Sequence, residues 1–196
     1  GRRPLSPVPQ QTLISLLDRV NDLKLLPRTG WLFAGVAQPE SIADHTCAVA
    51  LLTLLLAAEI NHDLPAHQLD APLDSGRAVQ IAIVHDLAES VLTDLPKRSS
   101  ELIGESVKHD AEQSALERML ADHPAREALL ECWHEYNAAS SPEGRLVRDA
   151  DKLEMIHQAL RYEQAGNRNL QEFFRNHRWN FTLCESLYHT LSNNRS

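Results

Sequence analysis

The stretch SIADHTCAVALLTLLLAAEI, Ser41 to Ile60, constrains the fold more than any other. Ser41 is a favourable N-cap, and Asp44 three residues later completes a capping-box start. The helix that follows is apolar nearly all round, so it belongs in the middle of the molecule, covered by other elements. One ionisable side chain interrupts it. His45 lies in line with Ala48, Val49 and Leu52 at the i+3, i+4 and i+7 positions, and so faces the core. A second apolar run, QIAIVHDLAES, carries the adjacent pair His85-Asp86 between Ile81, Ile83, Val84, Leu87 and Ala88. Ionisable groups avoid burial unless they are paired or bind a metal.

The rest of the chain is helical in period, and alternating runs of the β type are almost absent. A first helix is expected over residues 9 to 24, with Leu13, Leu16, Leu17 and Val20 on one face. Residues 25 to 40, with two prolines and two glycines, form an ordered loop. After the Ser41 helix and a loop over 61 to 75, a third helix is expected from Arg77 to about Leu92, followed by the turn TDLPKRSS. An amphipathic helix fits Glu105 to Asp122, with Ala111, Ala115, Leu116 and Met119 as its stripe. Pro124 starts another, to about Asn137. Ser141 caps a long helix with Pro142 in its first turn, ended by Gly166, and NFTLCESLYHTL supplies a last one. The expectation is an all-α globule of one domain, residues 9 to 196, behind a Pro-rich lead-in over 1 to 8.

The formal net charge of −8 argues against a nucleic-acid polymer as partner, because such binders need a basic face. A small anionic substrate stays compatible, since a metal and a few cations can reverse the field in one cleft. The three cysteines are odd in number and far apart, which points to a reducing, cytoplasmic setting. The longest uninterrupted apolar run, CAVALLTLLLAA, is too short to cross a bilayer, so no membrane partner is expected.

His-Asp occurs three times, as His62-Asp63, His85-Asp86 and His109-Asp110, and only the middle pair has an apolar frame. Glu89 lies four residues after His85, on the same face one helical turn later. A third source of ligands is the late segment LVRDADKLEMI. Two imidazoles and two carboxylates suit one first-row divalent ion: Mn²⁺, Fe²⁺, Co²⁺, Ni²⁺ or Zn²⁺. Such an ion acidifies a coordinated water into a nucleophile near neutral pH. Asp149 and Asp151 are about 200° apart on a helix, so only one faces the site, and the apolar residues nearby do not decide which. His109 and His134 lie between the His-Asp pair and this segment, but His109 is followed by the polar DAEQ, and a second ion is not expected.

Four segments in order, LKLLPRTGW at 23 to 31, PESIADHT at 39 to 46, VHDLAESVLTDLP at 84 to 96 and LVRDADKLEM at 146 to 155, resemble the HD-domain phosphohydrolase superfamily, in particular its 5′-deoxynucleotidase branch. The resemblance implies an all-α HD domain with its metal site between central helices. It implies His45, His85, Asp86 and Asp151 as metal ligands. Glu89 would position or deprotonate the attacking water, or protonate the leaving group, and Asp94 would sit by the sugar or the leaving oxygen. Arg28 would meet the phosphate and Trp31 the nucleoside. The implied reaction is release of phosphate from deoxynucleoside 5′-monophosphates. Triphosphohydrolase activity on a deoxynucleoside triphosphate, or another phosphoesterase on the same scaffold, is the alternative, with a non-catalytic nucleotide-binding protein behind it. A homodimer is implied as well.

Overall fold

In a computed structural model, residues 10–195 are described; the expected lead-in at 1 to 8 lies outside them. Among the described residues ten α-helices run in chain order: α1 (Gln10–Asp22), α2 (Thr29–Phe33), α3 (Ile42–His62), α4 (Ser75–Val84), α5 (Glu89–Leu92), α6 (Lys97–Ile103), α7 (Glu105–Met119), α8 (Arg126–Ala138), α9 (Pro142–Gln164) and α10 (Thr182–Asn193). A single antiparallel bridge, Pro27 to Ser41, is the only β-type pairing among the described residues.

The expected start of α3 forms as a reciprocal capping box. The Asp44 amide donates to Ser41 Oγ at 3.0 Å, and the Ser41 amide donates to Asp44 Oδ2 at 2.9 Å. Those bonds satisfy two of the donors that a helix start leaves open. The Ser41 hydroxyl, donating to Asp44 Oδ2 at 2.7 Å, and then the Ser41 amide hold the Asp44 carboxyl below its ordinary range. α3 packs against α4 and α9, and α4 also meets α8. Val49, Leu56, Ile60, Ile81, Trp133 and Leu146 share the main core. A second core gathers Trp31, Ile156, Leu160, Leu170 and Phe174 around the later turns of α9.

Four features of the structure depart from the expectations or add to them. First, the helix expected from Arg77 to Leu92 is broken: α4 stops at Val84 and α5 begins at Glu89. Between them the amides of Leu87, Glu89 and Ser90 bond carbonyls three residues back, at 3.0, 3.0 and 3.2 Å, the tighter 3-10 pattern. His85 Nδ1 donates to the Ala82 carbonyl at 2.7 Å, the acceptor that a continuing α-helix would offer to the Asp86 amide.

Second, α3 is central but not covered all round. Ile42, His45, Val49, Thr53, Leu56, Ala57 and Ile60 are buried, while Leu51, Leu54 and Leu55 are exposed. α3 is also long and apolar enough, by length and composition, to span a bilayer, which the shorter uninterrupted run did not suggest. Third, α1 forms, but Leu13, Leu17 and Val20 of its apolar face are exposed. Fourth, the loop at 25 to 40 contains α2, and the expected turn TDLPKRSS enters α6 with Pro96 as N-cap. These two helices have five and seven residues, too short for a 3.6-residue period to register in the sequence.

Candidate metal centre

His45 projects from the first turn of α3 into the space between α3, the α4–α5 turn and α9. Its Nδ1 lies 2.5 Å from Glu154 Oε2. A carboxylate only accepts, so the proton sits on Nδ1 and the Nε2 lone pair is free. The Ala82 carbonyl sets the tautomer of His85 in the same way. Both Nε2 atoms are buried and make no hydrogen bond.

Carboxylate oxygens nevertheless crowd these nitrogens. His45 Nε2 is 3.2 Å from Asp151 Oδ1 and 3.7 Å from Asp86 Oδ2, and His85 Nε2 is 3.1 Å from Asp86 Oδ2. Ligand atoms of His45, His85 and Asp151 all lie within 4.8 Å of one another. Lone pairs facing lone pairs in a buried cavity repel unless a cation lies among them. Burial and Arg28 oppose a proton on His45, yet Asp151 and Glu154 outweigh both and lift its pKa to about 9. Despite burial, His85, Arg28 and His45 hold Asp86 well below the usual carboxylate range; His45, His85 and Arg28 do the same for Asp151. The site thus favours positive charge strongly, and its two imidazoles and two carboxylates fit a divalent first-row ion.

The choice within DAD follows from the packing of α9. Asp149 is fully buried and turned toward the start of α10. Its Oδ2 accepts from the amides of Asn180 and Phe181, at 2.8 and 3.0 Å, and its Oδ1 accepts from Lys152 Nζ at 2.9 Å. Asp151 faces the histidines, and its Oδ2 accepts from the Tyr136 hydroxyl at 2.7 Å. Glu154, one turn after Asp151, is on the same side, while Lys152 shares the side of Asp149.

Arg28 enters from the loop before α2, and its Nη1 donates to Asp86 Oδ2 at 3.2 Å. Burial opposes its charge, but Asp86, Asp151, Asp94 and Glu89 more than offset this, so it stays protonated. Glu89 is 6% exposed, and its Oε2 has no hydrogen-bond partner. Burial first, then the charges of Asp86 and Asp94, push its pKa well above the ordinary carboxyl value. Asp94 Oδ2 accepts from the Thr29 amide at 2.5 Å and from Thr29 Oγ1 at 3.0 Å, which joins it to the Arg28 loop. The preceding residue, Thr93, has φ 65° and ψ 167°. That region is nearly confined to glycine, so backbone strain of about 1–3 kcal/mol is stored where Asp94 is aimed.

Trp31, expected to meet the nucleoside, sits in the wall of a cavity that begins at Arg28. It is 1% exposed, its indole N–H donates to Glu40 Oε1 at 2.9 Å, and Tyr162 and Phe173 pack on it. It is part of the second core. His109 stacks on Trp133 with centroids 4.8 Å apart, and His134 meets the same indole at 5.1 Å. Neither belongs to a metal-capable cluster among the described residues.

Two contributors escaped sequence reasoning. Glu154 carried a usable signal, its i+3 spacing from Asp151. Tyr136 carried none, because only the α8–α9 contact brings it to the site.

A family model described as HD domain matches residues 20–182. The 5′-deoxynucleotidase HDDC2 of Danio rerio is 33% identical over 166 residues, covering 83% of this chain and 76% of its own. The 5′-deoxynucleotidase hdd1 of Schizosaccharomyces pombe is 34% identical over 170 residues, with 83% and 79% covered. A crystal structure of a Pyrococcus horikoshii protein superposes with a TM-score of 0.78 at 38% identity, over 92% of this chain and 98% of that one. The chain belongs to the HD-domain family.

Proposed function

We infer that this HD protein is a metal-dependent 5′-deoxynucleotidase, releasing phosphate from deoxynucleoside 5′-monophosphates. The observation that carries the chemistry is the pair of buried, unpartnered imidazole Nε2 atoms facing Asp86 and Asp151, with Arg28 at the edge. The named 5′-deoxynucleotidase relatives supply the substrate class. In this reading His45, His85, Asp86 and Asp151 hold one divalent ion per chain, drawn from Mn, Fe, Co, Ni and Zn. When bound, the ion supplies Lewis acidity and a water that is nucleophilic near neutral pH.

The chain's own residues do the rest. Arg28, held by Asp86 through Nη1, offers its planar paired donors to the phosphoryl oxygens. The field of Asp86, Asp151 and Asp94 keeps it charged while buried. Glu89, raised by burial and close to two carboxylates, exchanges a proton with the attacking water or the leaving oxygen. Asp94, anchored by Thr29, orients the sugar. In-line geometry between nucleophile, phosphorus and ester oxygen then follows from fixing the phosphate and the sugar separately.

The remaining parts of the reading are a single domain over 9 to 196, a cytoplasmic setting, no membrane or nucleic-acid polymer as partner, and a homodimer. The acidic balance and the three free cysteines support the setting. The role of α3 as a core helix carrying His45 supports the exclusion of a membrane span. Exposed leucines on α1 and α3 support self-association.

A phosphate-release screen over nucleoside mono-, di- and triphosphates with several metals tests the reading. Release from deoxynucleoside monophosphates, with one ion per chain by elemental analysis, is expected. Release of triphosphate from deoxynucleoside triphosphates instead would overturn the substrate class. Glu89→Ala is expected to keep its ion and melting temperature but lose about 10²–10⁴-fold in kcat, the usual worth of acid–base assistance. A fully active variant would remove Glu89 from the chemistry.

A further inference from the structure

A cavity of about 380 Å³ begins at Arg28 and Asp94 and continues between Trp31, Met155 and Phe173. Its size falls within the range of small-molecule sites. None of the four candidate metal ligands lines it, but Arg28 joins it to the cluster through Asp86. A second cavity, of about 560 Å³, is walled by Lys108, His109, Glu112, His134 and Arg148. A phosphate held at Arg28 leaves the nucleoside to extend into the cavity that Arg28 itself lines. A nucleobase presents two flat π-faces and gains most against an aromatic wall. Both cavities carry charged and imidazole groups, but the smaller one also has an aromatic and thioether wall of Trp31, Phe33, Phe173 and Met155.

Phe173 is the half-buried aromatic of that wall, and it is held firmly. Its ring packs on Trp31 with centroids 4.3 Å apart and planes tilted by 30°. Gly30 lies against the same ring; a Cβ there would touch it at 3.8 Å. His177 Nε2 lies 2.8 Å from the Phe173 carbonyl and fixes the backbone behind it. Trp31 is in turn locked by Glu40 and by the edge of Tyr162, 5.2 Å away.

We propose that Phe173 is the stacking platform for the nucleobase, and that Trp31 serves the substrate indirectly, as the support of Phe173. The proposal rests on the deoxynucleotidase reading and adds how the base is held. Stacking accepts every base, since each has a π-face, so purine and pyrimidine deoxynucleotides should both be hydrolysed.

The test uses Phe173→Leu, which keeps apolar volume and removes the ring, and Phe173→Tyr, which restores it. Each metal-loaded protein is assayed on deoxynucleoside 5′-monophosphates and on 2-deoxyribose 5-phosphate, which has the same ester and sugar but no base. Phe173→Leu is expected to lose about 10- to 100-fold in kcat/KM on the nucleotides, mainly through KM, in line with the usual worth of a base–aromatic contact. Its rate on 2-deoxyribose 5-phosphate and its metal content should stay within about twofold, and Phe173→Tyr should recover the nucleotide rate. Equal losses on both substrates would assign Phe173 to packing and overturn the proposal, as would no loss on either. An unaltered enzyme that hydrolyses nucleotide and sugar phosphate with equal kcat/KM would overturn the proposal alone. An unaltered enzyme inactive on every deoxynucleoside monophosphate would overturn the deoxynucleotidase reading and the proposal together.

Discussion

At the scale of single residues, the segment Asp149-Ala150-Asp151-Lys152-Leu153-Glu154 divides its charges between two jobs. Asp149 and Lys152 anchor the start of α10, while Asp151 and Glu154 face the histidines. Asp151→Asn should therefore greatly reduce metal affinity. Asp149→Asn should spare it but lose stability by about 1–3 kcal/mol, the cost of leaving buried donors unpaired. Metal titration and thermal melting of the two variants separate the roles, and reversed outcomes would exchange them. Glu154 holds the Nδ1 proton of His45, as carboxylates commonly do behind a ligating imidazole, and such support is worth about 10–100-fold in affinity. Glu154→Gln should lose affinity by that factor in a titration of the metal-free protein; unchanged affinity would make Glu154 a packing residue.

At the scale of elements, the site depends on a helix that stops and a helix that comes close. The stop at Val84 frees the Ala82 carbonyl to accept from His85 Nδ1, which fixes that imidazole with Nε2 3.1 Å from Asp86 Oδ2. The close approach is at Gly144, in the first turn of α9, where an added Cβ would collide with the Glu135 carbonyl of α8. Glu135 is itself bound by Arg77 Nε at 3.0 Å and by Ser141 Oγ at 2.7 Å, so α4, α8 and the start of α9 meet there. Gly144→Ala should cost about 1–3 kcal/mol as overpacking, although alanine is the better helix former. Chemical denaturation measures this; a variant as stable as the parent would show that α8 yields.

At the scale of the whole molecule, apolar surface remains on α1 and on the outer side of α3, where Leu17, Leu51 and Leu55 are 66%, 59% and 64% exposed. A second copy of the chain is the proposed cover. Sedimentation should give twice the chain mass, and Leu51→Glu with Leu55→Glu should give monomers, because two carboxylates would have to be desolvated in the interface. A parent protein that sediments as a monomer would remove the dimer from the reading.

The all-α class, the capped starts of α3 and α9, and the pairing of His45 with His85-Asp86 were legible in the sequence. Each rests on short-range chemistry: a capping residue, a 3.6-residue period, or an ionisable pair in an apolar frame. What tertiary packing decided depends on partners distant in the chain. The sides taken by Asp149 and Asp151 follow from the amides of Asn180 and Phe181, about thirty residues away. Glu154 reaches His45 across 109 positions, and Trp31 packs against Tyr162 and Phe173, more than 130 positions away. Helical period says which residues share a face. Only the packed neighbours determine whether that face meets a core, a cation or solvent, because burial and hydrogen-bond pairing are properties of the assembled fold.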